Sequence, residues 1–358
     1  MKIAFLGDTH FGVRNDSQHF HNFFEKFYSE VFFPYLIENN IDTVIQLGDL
    51  YDRRKYTSHL TASESNKYFF SKFEEYNIKL IAIIGNHDIY HKESLTVNSP
   101  ELFLKSFKNI ELIKEPKSIK SSVGVGMDLV PWICSENIEE IDSFIASSNS
   151  EVLIGHLELS GFKMHKTGIA SQHGLEVSSF STYEKVFSGH YHHRSNNGNI
   201  QYVGTPYEMT WADYDDPKGF EIFDTETRTS EFISNPFSIF LKVEYDDTQE
   251  NSETGYLNEE FLTNFKDKYV KIQVIQKTNV HLFDLFMDQL YAQNPIDVNL
   301  IEEVEHLVIY EEAVDESEDT VTIIHKYIDK VSNQNLNTFK LKDIMTDLHN
   351  KAISSGAE

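Results

Sequence analysis

Residues 43–52 read TVIQLGDLYD: a short apolar run, then glycine, then acids. Apolar, β-branched text of that length is a buried strand, and Gly48 lets the chain turn tightly where the strand stops. The same pattern recurs at 2–10 (KIAFLGDTH), 79–88 (KLIAIIGNHD), 152–156 (VLIGH) and 184–192 (EKVFSGHYH). Each run passes through glycine into Asp, Asn or His. Between the first runs lie amphipathic stretches. Residues 16–38 carry Phe20, Phe23, Phe24, Phe27, Val31 and Tyr35 near helical spacing, and 61–76 read as a second helix. Strands alternating with helices predict an α/β layered fold. In an open α/β sheet the carboxyl ends of the strands line one crevice, so these polar residues are expected to converge.

Taken singly, the blocks say little. Gly-Asp after a strand is usually a turn, and a lone Gly-His is uninformative. Gly-Asn-His-Asp and Gly-His-x-His are rarer endings. All five in one chain, each at a strand end, point to a metal site. The candidate ligands are Asp8, His10, Asp49, Asn86, His156, His190 and His192. Cys134 is the only cysteine, so an intrachain disulfide is excluded and a cysteine-based zinc site is not expected. Mixed carboxylate, amide and imidazole donors suit Mn²⁺ or Fe²⁺ better than Zn²⁺; Mn²⁺ is expected, with Mg²⁺ as the alternative. The donors are too many for one ion. Two divalent ions sharing a carboxylate would use them all. Arg53, Arg54 and Lys55 follow directly and read either as a phosphate clamp or as a solvated loop.

Working outward, the chain has 358 residues, enough for two domains and an appendage. Hydrophobic residues make up 40%, with 27 Phe and 18 Tyr, so material for a core is ample. No apolar run nears the ~20 residues of a membrane span. The N-terminal run lacks a small-residue cleavage site, so it reads as a strand and not a signal peptide. A cytoplasmic setting is expected (host cytoplasm if the chain is viral). The formal charge of −26 repels DNA phosphate at long range. A nucleic-acid enzyme with this charge needs local bases, metal ions or a partner to supply attraction.

Past residue 199 the text turns to short alternating strands. Residues 236–310 then read as a small α/β unit, 311–320 as an acidic linker, and 321–358 as a helical segment. Val321, Ile324, Ile328 and Val331, then Leu341, Ile344, Leu348 and Ala352, mark apolar stripes. They read either as a hairpin lying on its own domain or as a docking surface for another protein. His19, His21, His59, His281, His325 and His349 read as surface or capping groups. His91, His165, His173 and His193 lie near the five blocks and are candidates to touch substrate.

The five blocks together resemble those of the calcineurin-like metallophosphoesterases, over roughly residues 1–235. The resemblance narrows to the SbcD-type nucleases of DNA break repair. GHLELSGF, SQHGLE, YVGTPYEMTW and DPKGF are similar to the recombination endonuclease subunits of T-even-like phages. The fold implied is a four-layer β-sandwich flanked by helices, with a small α/β capping domain at 236–310 that contacts DNA, and C-terminal helices. The activity implied is metal-dependent DNA cleavage, exonucleolytic or endonucleolytic, in recombination, repair and replication. A metallophosphatase or small-molecule phosphodiesterase is the alternative on the same scaffold. The resemblance also implies roles. Asp8, His10 and His192 bind one ion, Asn86, His156 and His190 the other, and Asp49 bridges them. His87 is the catalytic residue, stabilising the transition state or protonating the leaving oxygen; a purely orienting role is its rival. Asp52 stands where many cellular relatives have His. The partners implied are DNA and an SbcC-type SMC-like ATPase, docked through 321–353, with a homodimer inside a heterotetramer.

Overall fold

A computed structural model of the chain describes residues 1–249, 252–302, 328, 340–342 and 344–346. Residues 1–309 form one compact unit and 310–358 another. The expected acidic linker at 311–320 lies outside the described residues. So does most of the expected helical segment, of which 328, 340–342 and 344–346 are helical.

Two six-stranded sheets make up most of the first unit. From edge to edge, the first runs Thr229–Ser234, Gly219–Asp224, Lys2–Leu6, Thr43–Gln46, Lys79–Ile83 and Ile110–Ile113. Its last four strands are mutually parallel. The second runs Ser195–Asn197, Ile200–Tyr202, Lys185–Gly189, Val152–His156, Gly126–Val130 and Lys117–Lys120, parallel through its four central strands.

Alternation along each strand explains the layering. Side chains of successive strand residues point to opposite faces. Ile3 and Phe5, Ile45 and Leu47, Ile81 and Ile83 face a core shared with Met127, Leu129, Val152, Ile154 and Phe187 of the second sheet. Ala4, Leu6, Val44, Leu80 and Ala82 face an aromatic core under the helical segments at 18–38 and 59–75. Leu153 and Val186 turn to a third core with Ile141 and Phe144 of the helix Ile138–Ser147. The order is helix, sheet, sheet, helix. Strands apolar on both faces need cover on both.

Each long helix expected from periodicity contains a π-helical turn, Tyr28–Phe32 and Asn66–Phe70. The wider turn brings Tyr68, Phe69 and Phe70 all into the core. Tyr28 and Phe69 meet there at 4.6 Å between ring centres. Tyr207 stacks on Phe24 at 3.7 Å and donates its hydroxyl to Thr9 O at 2.8 Å, which fastens the helical layer to the loop after the first strand.

The small α/β element expected after 236 is a parallel sheet of Phe240–Asp246, Tyr269–Gln276 and Asp297–Glu302. The helix Val280–Ala292 covers it, burying Phe283, Phe286 and Leu290. An aromatic seam of Phe20, Trp211, Phe240 and Tyr269 joins it to the helical layer of the first sheet. No helix among the described residues is long and apolar enough to cross a membrane.

Candidate metal centre

The crevice is not the edge of one open sheet. Asp8, Asp49 and Asn86 follow three parallel strands of the first sheet; His156 and His190 end two parallel strands of the second. The site therefore straddles the rims of two stacked sheets. Local pattern shows which residues end a strand but not which sheet the strand joins.

The backbone is bent to bring these side chains inward. His10, Asp49 and His190 have φ of 42°, 55° and 81°, in the left-handed region that bulky residues avoid. Such conformations persist where the surroundings over-determine them, and they cluster at functional sites. Gly48, at φ 102°, has no side chain for a second reason: a Cβ there would lie 2.3 Å from His156 Nδ1.

All seven expected ligands come together. Asp8, His10 and His192 form one group with ligating atoms within 4.8 Å of one another, and Asp49, His156 and His190 form another. Asn86 Oδ1 joins the second group, 2.8 Å from His156 Nε2 and 3.0 Å from His190 Nδ1. Asp49 stands between them, with Oδ2 3.3 Å from His156 Nε2 and 3.8 Å from His10 Nε2. Nε2 of His10 and Nε2 of His192 face each other at 3.2 Å. The donor set fits a pair of divalent ions: two carboxylates, one amide oxygen and four imidazoles, held with their lone-pair atoms converging.

The electrostatics agree. Burial opposes charging His10 and His156, yet Asp52, Asp49 and Asp8 around His10, and Asp49 and Asp8 around His156, push both up to about 9. Burial, reinforced by Asp49, pushes Asp8 up to about 6. Burial also opposes the Asp49 charge, but His156 and His87 hold its carboxyl well below the usual range. In the metal-free protein these carboxylates recruit protons onto His10 and His156, whereas burial, with the charge on His10, holds His192 well below its ordinary value. A proton held more tightly in the folded state stabilises that state. For His10 and His156 the contribution is full below the ordinary value of 6.5 and is lost as pH rises through about 9. Metal-free protein is therefore expected to melt at a lower temperature near pH ~9.5 than near pH ~6, and added Mn²⁺ to flatten the profile. Thermal unfolding with and without chelator checks this; a slope that Mn²⁺ leaves unchanged contradicts it.

His87 differs from the ligands. Like His192 it is half-buried, whereas Asp8, His10, Asp49, Asn86, His156 and His190 are buried. Its backbone N–H donates to Asp49 Oδ1 at 2.7 Å, and its Nδ1 donates to Asp52 O at 2.6 Å. That leaves Nε2 as the working nitrogen. Burial holds its pKa below the ordinary value, with the charge on His10 adding to the effect.

Several supporting residues had no role assigned from the sequence. Asp52 Oδ1 lies 3.4 Å from His10 Nδ1 and orients that ring. Trp132 packs against His156 and His190, with ring centres 5.8 and 5.1 Å apart. Asp88, present in the Gly-Asn-His-Asp block but given no role, accepts from Leu50 N (3.0 Å), Tyr51 N (3.2 Å) and Gly85 N (2.9 Å). One carboxylate thus ties the loop carrying Asp49 to the loop carrying Asn86. Asp88→Ala leaves three buried N–H groups unpaired and is expected to weaken metal affinity about 10–100-fold. Calorimetric Mn²⁺ titration checks it; unchanged affinity rules the tie out.

The basic cluster is partly committed elsewhere. Arg53 pairs with Asp16 at 2.9 Å and Asn15 at 2.8 Å and lies over the Tyr56 ring. Arg54 is half-buried, with Nε and Nη1 of its guanidinium buried, while Lys55 is exposed. His21, expected at the surface, is buried instead, its ring nitrogens 3.0 Å from Tyr68 Oη and 3.1 Å from Thr61 Oγ1. It sits on the apolar face of its helix, and two hydroxyls make that burial acceptable.

Residues 1–218 match the family model described as calcineurin-like phosphoesterase. The chain is 37% identical over 245 residues to exonuclease subunit 1 of Enterobacteria phage T4, covering 68% of this chain and 71% of that protein. It is 24% identical over 375 aligned residues to the D component of the nuclease SbcCD from Staphylococcus epidermidis, covering 94% and 95%. A solved archaeal phosphodiesterase overlaps 66% of this chain and 100% of its own, at 16% identity and a TM-score of 0.34, too loosely to carry weight. With its strand-end blocks, its paired sheets and the family match over most of the chain, this protein belongs to the calcineurin-like phosphoesterases.

Proposed function

We propose that the chain is a metal-dependent DNA nuclease, the hydrolytic subunit of an SbcCD-type recombination and repair complex. The observation that carries the proposal is the convergence of Asp8, His10, Asp49, Asn86, His156, His190 and His192 at one rim, with half-buried His87 beside them. Two relatives bear nuclease names and are called subunits, and the one from Staphylococcus epidermidis aligns along nearly the whole chain.

In this reading Asp8, His10 and His192 hold one ion and Asn86, His156 and His190 the other, with Asp49 shared. Mn²⁺ suits this imidazole-rich set better than Mg²⁺. Two such ions supply Lewis-acid stabilisation of the phosphate and activation of a water for in-line attack. The remaining steps belong to the chain. Asp88 and Asp52 keep the loops and the His10 ring in place. Neutral His87 carries its proton on Nδ1, toward Asp52 O. An anionic phosphate nearby favours the charged ring, which places a second proton on Nε2. That proton passes to the departing sugar oxygen. Arg53, Arg54 and Lys55 follow the Asp49 loop and border the path a DNA backbone takes to the ions.

The −26 charge gives a reason for the partner: another subunit supplies binding surface for the DNA. We assign that part to an SbcC-type ATPase contacting 321–353, with two nuclease subunits per assembly. Truncation after residue 310 is expected to leave basal Mn²⁺-dependent cleavage intact and to abolish co-purification with the ATPase. Retained co-purification at unchanged affinity contradicts the docking assignment.

The function is tested with labelled single- and double-stranded DNA, with and without the ATPase, across Mn²⁺, Mg²⁺ and Zn²⁺. Metal-dependent DNA cleavage is the expected result. Hydrolysis of a nitrophenyl phosphodiester or monoester without DNA cleavage would reassign the chain to the small-molecule phosphoesterases.

A further inference from the structure

A third triplet, His165, His192 and Asp213, also brings ligating atoms within 4.8 Å of one another, and it shares His192 with Asp8 and His10. The sharing poses a problem of selection. His192 Nε2 faces His10 Nε2 at 3.2 Å and Asp8 Oδ2 at 3.8 Å. Its other ring nitrogen, Nδ1, is buried and makes no hydrogen bond among the described residues; His165 Nδ1 is buried likewise, 3.8 Å from Asp213 Oδ1. An imidazole can serve a cation through either nitrogen. By donor chemistry alone, two imidazoles and a buried carboxylate form a rival ion site that pulls on the same histidine.

Lys218 separates the rivals. It is 4% exposed. Its ammonium lies 2.9 Å from Asp213 Oδ1 and 3.0 Å from Asp216 Oδ2, and it donates to His192 O at 3.0 Å. Asp213 is further engaged by the N–H groups of Met209 and Thr210, and Asp216 by His193 Nδ1 at 2.8 Å. A fixed positive charge thus already occupies the carboxylate that a third ion needs, and like charge repels a divalent ion strongly at such range. The same ammonium anchors the backbone of the contested histidine.

We propose that Lys218 is a positioning residue that stands in for a cation beside Asp213, keeping a third metal ion out and reserving His192 for the Asp8–His10 side. The proposal rests on the reading of Asp8, His10 and His192 as ion ligands.

The test counts Mn²⁺ equivalents per folded chain by equilibrium dialysis and elemental analysis, with Mn²⁺ in excess. Wild type is expected to hold two and Lys218→Arg two. Lys218→Met is expected to hold three, with one of the original two weakened about 10–100-fold. Adding His165→Ala to Lys218→Met should return the count to two, which separates the rival site from incidental surface binding. A merely structural lysine would change the melting temperature without adding an ion. Two equivalents at unchanged affinity in folded Lys218→Met overturn the proposal. So does a third ion in wild type that His165→Ala removes, a result that needs no lysine variant to fold. Lys218→Gln, neutral but able to donate to His192 O, gives the same reading if Lys218→Met does not fold. Fewer than two equivalents in wild type overturns the metal-centre reading itself, and this proposal with it.

Discussion

Asp49→Asn is expected to lower DNA cleavage by on the order of 10³-fold or more and to leave at most one tightly bound metal equivalent. The reason is geometric. Asp49 is the carboxylate within reach of both groups, 3.3 Å from His156 Nε2 and 3.8 Å from His10 Nε2. An amide in its place keeps the shape but removes the negative charge, and with it the offset to repulsion between two divalent ions. Metal stabilisation of a phosphoryl transition state is worth several kcal/mol, and each ~1.36 kcal/mol is tenfold in rate. Asp49 also accepts from the His87 backbone N–H at 2.7 Å, a bond that the amide oxygen of Asn can still accept, so the expected loss is that of the charge. Metal analysis and cleavage kinetics on one preparation check the pair of effects. Two tight equivalents with near-normal rate would remove Asp49 from the bridging position.

The second large effect is expected at His87. His87→Ala should retain both metal equivalents and lose about 10²–10⁴-fold in cleavage rate, the usual range for a general acid. It should also flatten the falling limb of the pH–rate profile, where deprotonation of Nε2 ends acid catalysis. An orienting residue makes a different prediction. The His87 side chain holds Asp52 O, and Asp52 lies against His10, so a structural role would show as lost metal. Rate loss with metal retained supports the acid; lost metal or an unchanged rate refutes it. A substrate whose leaving group needs no proton sharpens the test, because His87→Ala should cleave it at close to the wild-type rate.

Much of this site was legible in the sequence because its residues follow short apolar runs with a glycine between. Strand alternation and Gly48, Gly85, Gly155 and Gly189 mark the places where side chains leave the sheets. Three features were not legible. Division of the strand ends between two sheets depends on pairing partners far apart in sequence, and the strands that carry the site are apolar on both faces whichever sheet they join. The π-helical turns leave residue spacing close enough to helical that Tyr28–Phe32 and Asn66–Phe70 read as ordinary helix. Burial of His21 and of Lys218 depends on partners supplied from elsewhere. For His21 these are Tyr68 and Thr61; for Lys218 they are Asp213 and Asp216, close in sequence but inward only because the loop folds over. Composition and periodicity report a surface tendency for His and Lys. Only the assembled structure shows where that tendency is overridden.

Arg53 teaches a related lesson. Three consecutive bases after a metal-binding block suggest a phosphate clamp, but Asp16 and Asn15 already hold the Arg53 guanidinium. A DNA backbone must compete for that charge, so of the three Lys55, exposed, is the most available to a phosphate.

Anomalous diffraction at the manganese edge from Mn²⁺-soaked crystals of the wild-type chain tests the central claim most directly. The account predicts two peaks ~3.5–4 Å apart. One should lie against Asp8, His10 and His192, the other against Asn86, His156 and His190, with Asp49 between them. A single peak, or two peaks away from these side chains, would contradict it.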